Sequence, residues 1–412
     1  MLENLTPEEA EAIKELEQRM KGDVPSKMLE EVSLFYRFLK ARDFNLKDAE
    51  LMMRKHIQWY KANGIEDILV NYQPPEVLVK YVPNDFVGFD KEGCPVRYCA
   101  IGNTDYKGIF KAVKFTELTK YVSLTIEHDL ERLKSQSKKL GKLLTQIVYI
   151  YDFDQMTLAK ATNKSIFQDL LCFPKLLMYL HFLTALELLL QGLKLYQDNC
   201  PERLKAVYII NASLYFTIFF SVIKTILARD LIRKIRVFGT DGWKEKLLEE
   251  IDEDVLPAFL GGTRTDPDGN PLCNTFINHG YPVPEKYFFK SSEKSLSQVP
   301  GIKKLMVTRF SSVDMTFDVG EPGTVIEWEF ETKSRDIGFG LFYQENTNEE
   351  VTEVIPKQRI DTSMEPELGM FKCDKAGKYI MVFDNSYSWL HPKEIYCRAT
   401  LVNPKDEETR SA

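Results

Sequence analysis

Residues 201–236 read PERLKAVYIINASLYFTIFFSVIKTILARDLIRKIR, and this stretch decides the fold class of the chain. No charged residue occurs between positions 206 and 223. Residues 206–210 form a β-branched and aromatic run, which is typical of a strand buried on both faces. The strand is broken before Ser213, a suitable N-cap for a helix over residues 213–228.

The helix predicted over residues 213–228 is apolar almost all round. Its polar residues form one narrow stripe, namely Ser213, Thr217, Ser221 and Thr225. Such a helix is either buried or in contact with lipid. The basic residues that follow are well placed to meet anionic headgroups. They are Arg229, Arg233, Lys234 and Arg236.

Three interpretations of this helix are open: a core helix, a transmembrane anchor, or a movable wall between an apolar cavity and a membrane surface. The anchor is disfavoured because Asn211 and Ser213 lie within the apolar window. The apolar residues that remain after the strand are too few to cross a bilayer. The pattern alone does not decide between the other two.

The composition is that of a globular protein of two or three domains. The chain has 412 residues, of which 44% are hydrophobic and 28% charged. Its net charge of −7 disfavours nucleic-acid binding. The seven cysteines are scattered and include no CxxC, and the N-terminus lacks the apolar region of a signal peptide. We therefore expect reduced thiols and a cytoplasmic protein.

Residues 1–75 predict an N-terminal helical subdomain. Thr6 and Glu9 have the spacing of a capping box at the start of the first helix. Residues 34–64 predict a helical hairpin that Gly64 ends. The hairpin has a basic side, expected to be a solvated face, formed by Arg37, Lys40 and Arg42.

Hydrophobic periodicity divides the rest of the chain. Residues 76–262 alternate strands with helices and predict an α/β domain with a parallel or mixed sheet. Its predicted strands are residues 96–101, 147–152, 206–210 and 235–238, and its first helix spans residues 115–133. A turn-rich linker is expected over 263–300, an antiparallel β-sandwich over 301–403 and a polar tail over 404–412.

Two carboxylates offer a candidate catalytic site. Asp152 and Asp154 follow a predicted strand and resemble the pair of aspartate-nucleophile phosphatases, with Asp152 as nucleophile, Asp154 as acid/base and a bound Mg²⁺. Met156 departs from that pattern, and no later acidic motif completes a metal site. Capping of the turn is the favoured interpretation, and an Mg²⁺-dependent phosphatase is the alternative function.

Several short motifs carry a family resemblance. FLKARDF (38–44) and MRKH (53–56) resemble the N-terminal motif of CRAL-TRIO proteins. Four motifs resemble those of the family's lipid-binding domain: YD (151–152), PER (201–203), IINA (209–212) and FLGGT (259–263). Three further segments resemble the GOLD domain: residues 266–271, GFG (338–340) and FDNSYS (383–388). The chain is similar to the supernatant protein factor (tocopherol-associated protein) group of animal phosphatidylinositol-transfer-like proteins.

The resemblance implies a non-catalytic carrier with no cofactor other than one bound hydrophobic molecule. That ligand would be phosphatidylinositol, phosphatidylcholine, tocopherol or squalene, held beneath a gating helix that falls on residues 214–228 here. It also implies transient contact with membranes and a protein partner for the GOLD domain. A purely scaffolding protein that works through the sandwich is a further alternative.

The candidate ligand-binding residues follow from the apolar pattern and the resemblance. The resemblance places headgroup contacts on Glu202 and Lys234, with Arg233 beside them. The predicted apolar lining drives uptake of an acyl chain or isoprenoid. It comprises Tyr149, Tyr151, Tyr208, Ile210, Leu214, Phe216, Phe219, Phe220, Ile223 and Leu227.

Two departures from the family pattern affect this region. Cys200 precedes the PER motif at a position where the family commonly has tyrosine. Residues 165–183, SIFQDLLCFPKLLMYLHFL, have no counterpart in the family. We interpret them as a tolerated surface insertion or a gene-model artefact, because Asp169, Lys175 and His181 disfavour a membrane span.

Overall fold

A computed structural model describes most of the chain, which divides into two compact units. The first unit comprises Met1–Phe110 and Thr116–Tyr287, and the second comprises Lys111–Phe115 and Phe288–Ala412. The described residues are 5–156, 196–213, 216, 220, 224, 227, 229–289, 296–333, 336–345, 351–362, 366–388 and 392–403. The predicted segment 165–183 and the predicted tail 404–412 lie outside them.

The first unit begins with short helices, as the sequence predicts. They are α1 (Pro7–Arg19), α2 (Ser26–Leu29), α3 (Leu34–Lys40), α4 (Leu46–Ala62), α5 (Ile68–Asn71) and α6 (Glu76–Tyr81). The capping box is confirmed, since Thr6 Oγ1 accepts from Glu9 N and Glu9 Oε2 accepts from Thr6 N. Gly64 adopts the predicted left-handed conformation after α4, with φ of 62°.

A mixed five-stranded sheet follows the helices. Its strands are β1 (Asp85–Phe89), β2 (Pro95–Cys99), β3 (Ile147–Asp152), β4 (Leu204–Ile210) and β5 (Ile235–Val237), in the order β1-β2-β3-β4-β5. β1 pairs antiparallel with β2, and the other pairs are parallel. The accompanying helices are α7 (Tyr106–Ala112), α8 (Phe115–Leu140), α9 (Arg229–Lys234) and α10 (Trp243–Glu250). The predicted α/β domain with a mixed sheet is confirmed.

A different helix packs on each side of this sheet. Arg97 is in register with Tyr149, and its guanidinium pairs with Asp129 of α8. Ile150 is in register with Tyr208, and Arg236 beside Tyr208 pairs with Glu250 at the end of α10. Because successive residues of a strand point to opposite faces, α8 covers the face of Tyr149 and α10 covers that of Tyr208.

The expected linker is shorter than the sequence pattern indicates. Residues 263–287 belong to the first unit. Cys273 is 0% and Ile277 3% exposed within its core, and Arg264 Nη1 donates to Val87 O at 2.6 Å. The turn-forming residues therefore fold back onto the sheet instead of linking two domains.

The second unit is a sandwich of two antiparallel four-stranded sheets. Its strands are β6 (Lys303–Val307), β7 (Ser312–Val319), β8 (Val325–Thr332), β9 (Asp336–Gln344), β10 (Thr352–Asp361), β11 (Glu367–Lys372), β12 (Gly377–Asp384) and β13 (Lys393–Val402). The sheet orders are β10-β9-β12-β7 and β11-β8-β13-β6. The predicted alternation is confirmed in β7, where Asp314, Thr316 and Asp318 are exposed and the apolar residues between them are half-buried. In β8 it fails at Glu331, which is buried. Phe330 and Phe383, from the two sheets, are fully buried with ring centroids 5.1 Å apart.

No helix within the described ranges combines the length and the apolarity that crossing a bilayer requires.

The ion pair between Arg97 and Asp129 gives a test of how α8 is held on the sheet. Both side chains are buried, at 5% and 0% exposed. We expect Asp129→Ala to lower the free energy of unfolding by about 3–5 kcal/mol, because it leaves a buried charge unpaired. Urea denaturation measures this change. The control is Glu131→Ala on the same helix, whose 50% exposed side chain pairs with Lys134 and contributes at most about 1 kcal/mol. Equal effects of the two substitutions would contradict the prediction.

Candidate functional site

Asp152 caps the end of β3. Its Oδ2 accepts from the hydroxyl of Tyr98 at 2.9 Å, and its Oδ1 accepts from Asn211 Nδ2 at 2.8 Å and from the backbone N of Asp154 at 2.9 Å. These bonds are those of a carboxylate that organises a turn. No group of three or more His, Cys, Asp or Glu side chains in the described residues is placed to hold a metal ion. The bonds of Asp152 therefore fit the capping interpretation.

The predicted gating helix begins where the sequence places it. Ser213 Oγ accepts from the backbone N of Phe216 at 3.3 Å, which confirms the N-cap. The backbone N of Lys224 donates to Phe220 O at 3.0 Å, a helical hydrogen bond. Three of the predicted lining residues, Leu214, Phe219 and Ile223, lie outside the described residues.

The described aromatic residues of the predicted gating helix pack beside the end of β3. The ring of Phe216 lies 4.4 Å from that of Phe153 and 5.8 Å from that of Phe220, measured between centroids. Phe216, Phe220 and Leu227 are at most 8% exposed and belong to the core of the first unit. These three predicted residues therefore share one buried apolar environment.

Tyrosines line the α8 side of the sheet, which we call the tyrosine face. The ring of Tyr149 lies 5.6 Å from that of Tyr151 and 6.2 Å from that of Tyr196. Burial raises the pKa of each of these three tyrosine hydroxyls well above the ordinary value for tyrosine. These phenols are therefore neutral and can both donate and accept hydrogen bonds.

Sequence reasoning missed two tyrosines near this face. Tyr196 contacts Tyr149, and Tyr121 lies on α8, the helix that covers this face. Burial raises the pKa of Tyr121 to about 12. The helical period of α8 could have identified Tyr121, but Tyr196 carries no comparable signal.

Tyr208 and Ile210 lie on the opposite face of the sheet, which corrects the prediction of one common lining. The hydroxyl of Tyr208 accepts from Arg236 Nη1, and the guanidinium lies 5.0 Å from the Tyr208 ring centroid. Ile210 is fully buried. The strand run 206–210 is apolar throughout, so its pattern did not reveal which residues share a face.

The predicted headgroup residues come together only in part. Lys234 Nζ lies 3.3 Å from Glu202 Oε2, and Lys40 Nζ lies 3.9 Å from the same oxygen. Arg233, in contrast, is 77% exposed and pairs with Asp230 one turn earlier in α9. The structure therefore unites Glu202 with two lysines and leaves Arg233 at the surface.

Glu31, Arg37 and Arg203 form a charge cluster next to Glu202, in which both arginines are buried and the Glu31 side chain is 24% exposed. Arg37 is 4% exposed, so the expectation that it belongs to a solvated face is wrong. Its Nε and Nη2 donate to Glu31 at 2.6 and 2.8 Å, and Arg203 Nη2 donates to the same carboxylate. Burial alone raises the pKa of Glu31, but the attraction of both guanidinium groups outweighs it and lowers the pKa to about 2.

A cavity of about 250 Å³ adjoins the charge cluster. Its lining includes His56, Trp59, Glu127, Cys200 and Arg203, and contains none of the residues predicted to bind the lipid. His56 Nδ1 lies 3.0 Å from Asn199 Oδ1. Burial lowers the pKa of His56 to about 4, although the hydrogen bond with Asn199 opposes the shift.

Comparison with known families agrees with this architecture. The CRAL/TRIO domain model matches residues 80–262, and the CRAL/TRIO N-terminal domain model matches residues 4–55. Together they cover more than half of the chain. The chain belongs to the CRAL-TRIO family.

Individual relatives are distant. The chain is 24% identical over 363 residues to Protein ctg-1 of Caenorhabditis elegans, covering 87% of this chain and 88% of that protein. It is 25% identical over 316 residues to Protein real-time of Aedes aegypti, covering 74% of this chain and 44% of that protein. Superposition on the crystal structure of Sfh5 covers 68% of this chain and 94% of the Sfh5 chain, with 15% sequence identity and a TM-score of 0.47.

Family membership defines the class of function. CRAL-TRIO proteins bind and transfer lipophilic ligands and are typically not enzymes. This CRAL-TRIO protein therefore has a domain for a lipophilic ligand.

The buried imidazole gives a test by pH. Between pH 6.5 and about 4 the unfolded chain binds a proton at His56 that the folded chain does not bind. The free energy of unfolding therefore decreases as the pH falls through this window. We expect His56→Gln to weaken this dependence, measured as the difference in thermal unfolding between pH 7 and pH 5. The control is Lys55→Gln, an exposed position on the same helix. If thermal unfolding of His56→Gln depends on pH as strongly as that of the parent protein, the prediction is wrong.

Proposed function

We propose that this CRAL-TRIO protein binds one hydrophobic molecule between the tyrosine face and the gating helix and carries it between membranes of the cytoplasm. The observation that supports this most directly is the packing of Phe216 and Phe220 beside Phe153. Buried phenylalanines and neutral tyrosines suit a ligand with an apolar body and few polar groups. The site requires no cofactor and performs no covalent step.

The gating helix acts as a movable wall. Its apolar side chains are removed from water equally well by protein, by ligand or by lipid, so exchange among these partners is inexpensive in free energy. The basic residues beyond it favour an anionic membrane surface. Among them, Arg233 is 77% exposed and therefore accessible to headgroups. Membrane contact would open the wall and admit or release the ligand.

Glu202, Lys234 and Lys40 provide the polar end of the site. A lysine ammonium pairs with a phosphate, and a carboxylate accepts hydrogen bonds from headgroup hydroxyls. Phosphatidylinositol offers both groups, and phosphatidylcholine offers the phosphate alone. Tocopherol and squalene would bind through the apolar lining. We therefore rank phosphatidylinositol first among the four ligands.

The β-sandwich serves as a GOLD-like module for a protein partner. The second unit has its own aromatic core, with Phe330 and Phe339 at a centroid distance of 4.9 Å. A unit with its own core can present a surface without contributing to ligand binding. A purely scaffolding role is the competing function, and it requires that the CRAL-TRIO domain be empty.

Ligand occupancy distinguishes the carrier from the scaffold. We expect native mass spectrometry of the purified chain to find one lipid per protein molecule, and organic extraction to release it. Delipidation should lower the unfolding temperature, because a ligand that binds only the folded state stabilises it. Protein that is purified repeatedly without any lipid, and that takes up none from vesicles, would favour the scaffold.

The gating helix is tested by a charge at its buried aromatic position. Phe220→Asp should lower transfer between vesicles by about tenfold or more, because it removes an apolar contact of roughly 1.5–3 kcal/mol. Fluorescent lipid transfer measures the rate. The matched control is Phe310→Asp, since Phe310 is 59% exposed in the second unit. Unchanged transfer by a folded Phe220→Asp variant would reject the role of the helix.

A further inference from the structure

The PER turn, formed by Pro201, Glu202 and Arg203, connects two groups of charges. The Glu202 carboxylate lies 3.3 Å from Lys234 Nζ. The neighbouring Arg203 is buried and donates to Glu31. Because the two residues are adjacent, the position of the Glu202 side chain depends on the contact that Arg203 makes with Glu31.

Glu202 has a backbone conformation that needs support. Its φ is 58°, in the left-handed region that side chains other than glycine adopt only when the surroundings hold them there. Arg37 Nη1 donates to the carbonyl of Pro201, immediately before Glu202, at 2.7 Å. Gln146 Nε2 donates to the carbonyl of Glu202 itself at 3.4 Å. Contacts from other parts of the first unit thus hold the turn on both sides of the strained residue.

Glu31 joins the two guanidinium groups. Its Oε1 accepts from Arg37 Nε, and its Oε2 accepts from both Arg37 Nη2 and Arg203 Nη2. Paired hydrogen bonds between a guanidinium and a carboxylate fix orientation as well as distance. Arg203 Nη1 also donates to Thr145 O at 3.3 Å. The charge cluster thus joins the N-terminal helices to the PER turn by directional hydrogen bonds.

Helix α3 reaches the turn with two side chains. Arg37 binds the carbonyl of Pro201, and Lys40, three residues later on the same face, lies 3.9 Å from the Glu202 carboxylate. The backbone and the side chain of the turn therefore both meet the N-terminal helical region.

We propose that Glu31, Arg37 and Arg203 are positioning residues that aim the Glu202 carboxylate at Lys234. The N-terminal helices would thereby set the preference for a lipid whose headgroup carries hydroxyls and a phosphate over a lipid without such a headgroup. This inference rests on the proposed headgroup role of Glu202 and Lys234.

The test compares two ligands in one variant of the full chain. Arg37→Lys keeps the positive charge but cannot reproduce the paired bonds to Glu31 together with the bond to Pro201 O. We expect the ratio of phosphatidylinositol transfer to α-tocopherol transfer between vesicles to fall about tenfold, as for the loss of one charge-assisted hydrogen bond. Transfer of α-tocopherol itself should be retained, because its uptake depends on the apolar lining.

Two further variants make the result specific. Arg54→Lys is the matched control, since Arg54 is 42% exposed and pairs with Asp23 and Glu50 on the helical surface. Its ratio should equal that of the parent protein. Glu31→Gln keeps the side-chain volume, removes the charge and should lower the ratio as Arg37→Lys does. Thermal unfolding establishes the folded fraction of each variant, and rates are compared for folded protein.

The reference variant is Lys234→Ala. If it leaves the ratio unchanged, the headgroup role fails, and this inference fails with it. If Lys234→Ala lowers the ratio but folded Arg37→Lys and Glu31→Gln do not, the positioning role alone is overturned. If Arg37→Lys lowers the transfer of both lipids equally, the cluster has only a structural role, and the positioning role is also overturned. In the Lys234→Ala background, Arg37→Lys should cause no further fall in the ratio.

Discussion

The parallel pairing of β3 with β4 is the constraint on which the first unit depends. Each strand is covered on both faces, and successive side chains must point in opposite directions. The register that sets Tyr151 beside Ile209 therefore also separates Tyr149 from Tyr208. One face carries Tyr149 and Tyr151 and is covered by α8, and the other packs against α10. The two faces of the sheet therefore differ in the side chains that they present.

Buried charges then attach the helices to the sheet. The pair of Arg97 and Asp129 ties α8 to β2, and the charge cluster ties the N-terminal helices to the turn before β4. Removing ions from water is costly, so such groups are stable only when their hydrogen bonds are complete. That requirement makes their geometry specific in a way that apolar contacts are not. It also explains why Glu202 and Arg203 each have a partner of opposite charge at the PER turn.

Much of the architecture could be predicted because local rules govern it. The capping box at Thr6, the N-cap at Ser213 and the two-residue period of the sandwich all appear as short patterns in the sequence. The pairing of Glu202 with Lys234 could be expected only through family resemblance, since 31 residues separate them in the sequence. The burial of Arg37 and the folding back of residues 263–287 had no comparable signal. Each depends on a partner distant in sequence.

The sequence by itself determined the element types, the change from α/β to β-sandwich and the apolar character of residues 214–223. These properties follow from the spacing of side chains along one segment, which local backbone geometry converts directly into faces. Only the tertiary structure decided which face of β4 meets the tyrosines and which arginine is buried. A strand that is apolar on both sides has no preferred face. Arg37 is buried because the nearby Glu31 carboxylate and the carbonyl of Pro201, which is distant in sequence, complete its hydrogen bonds.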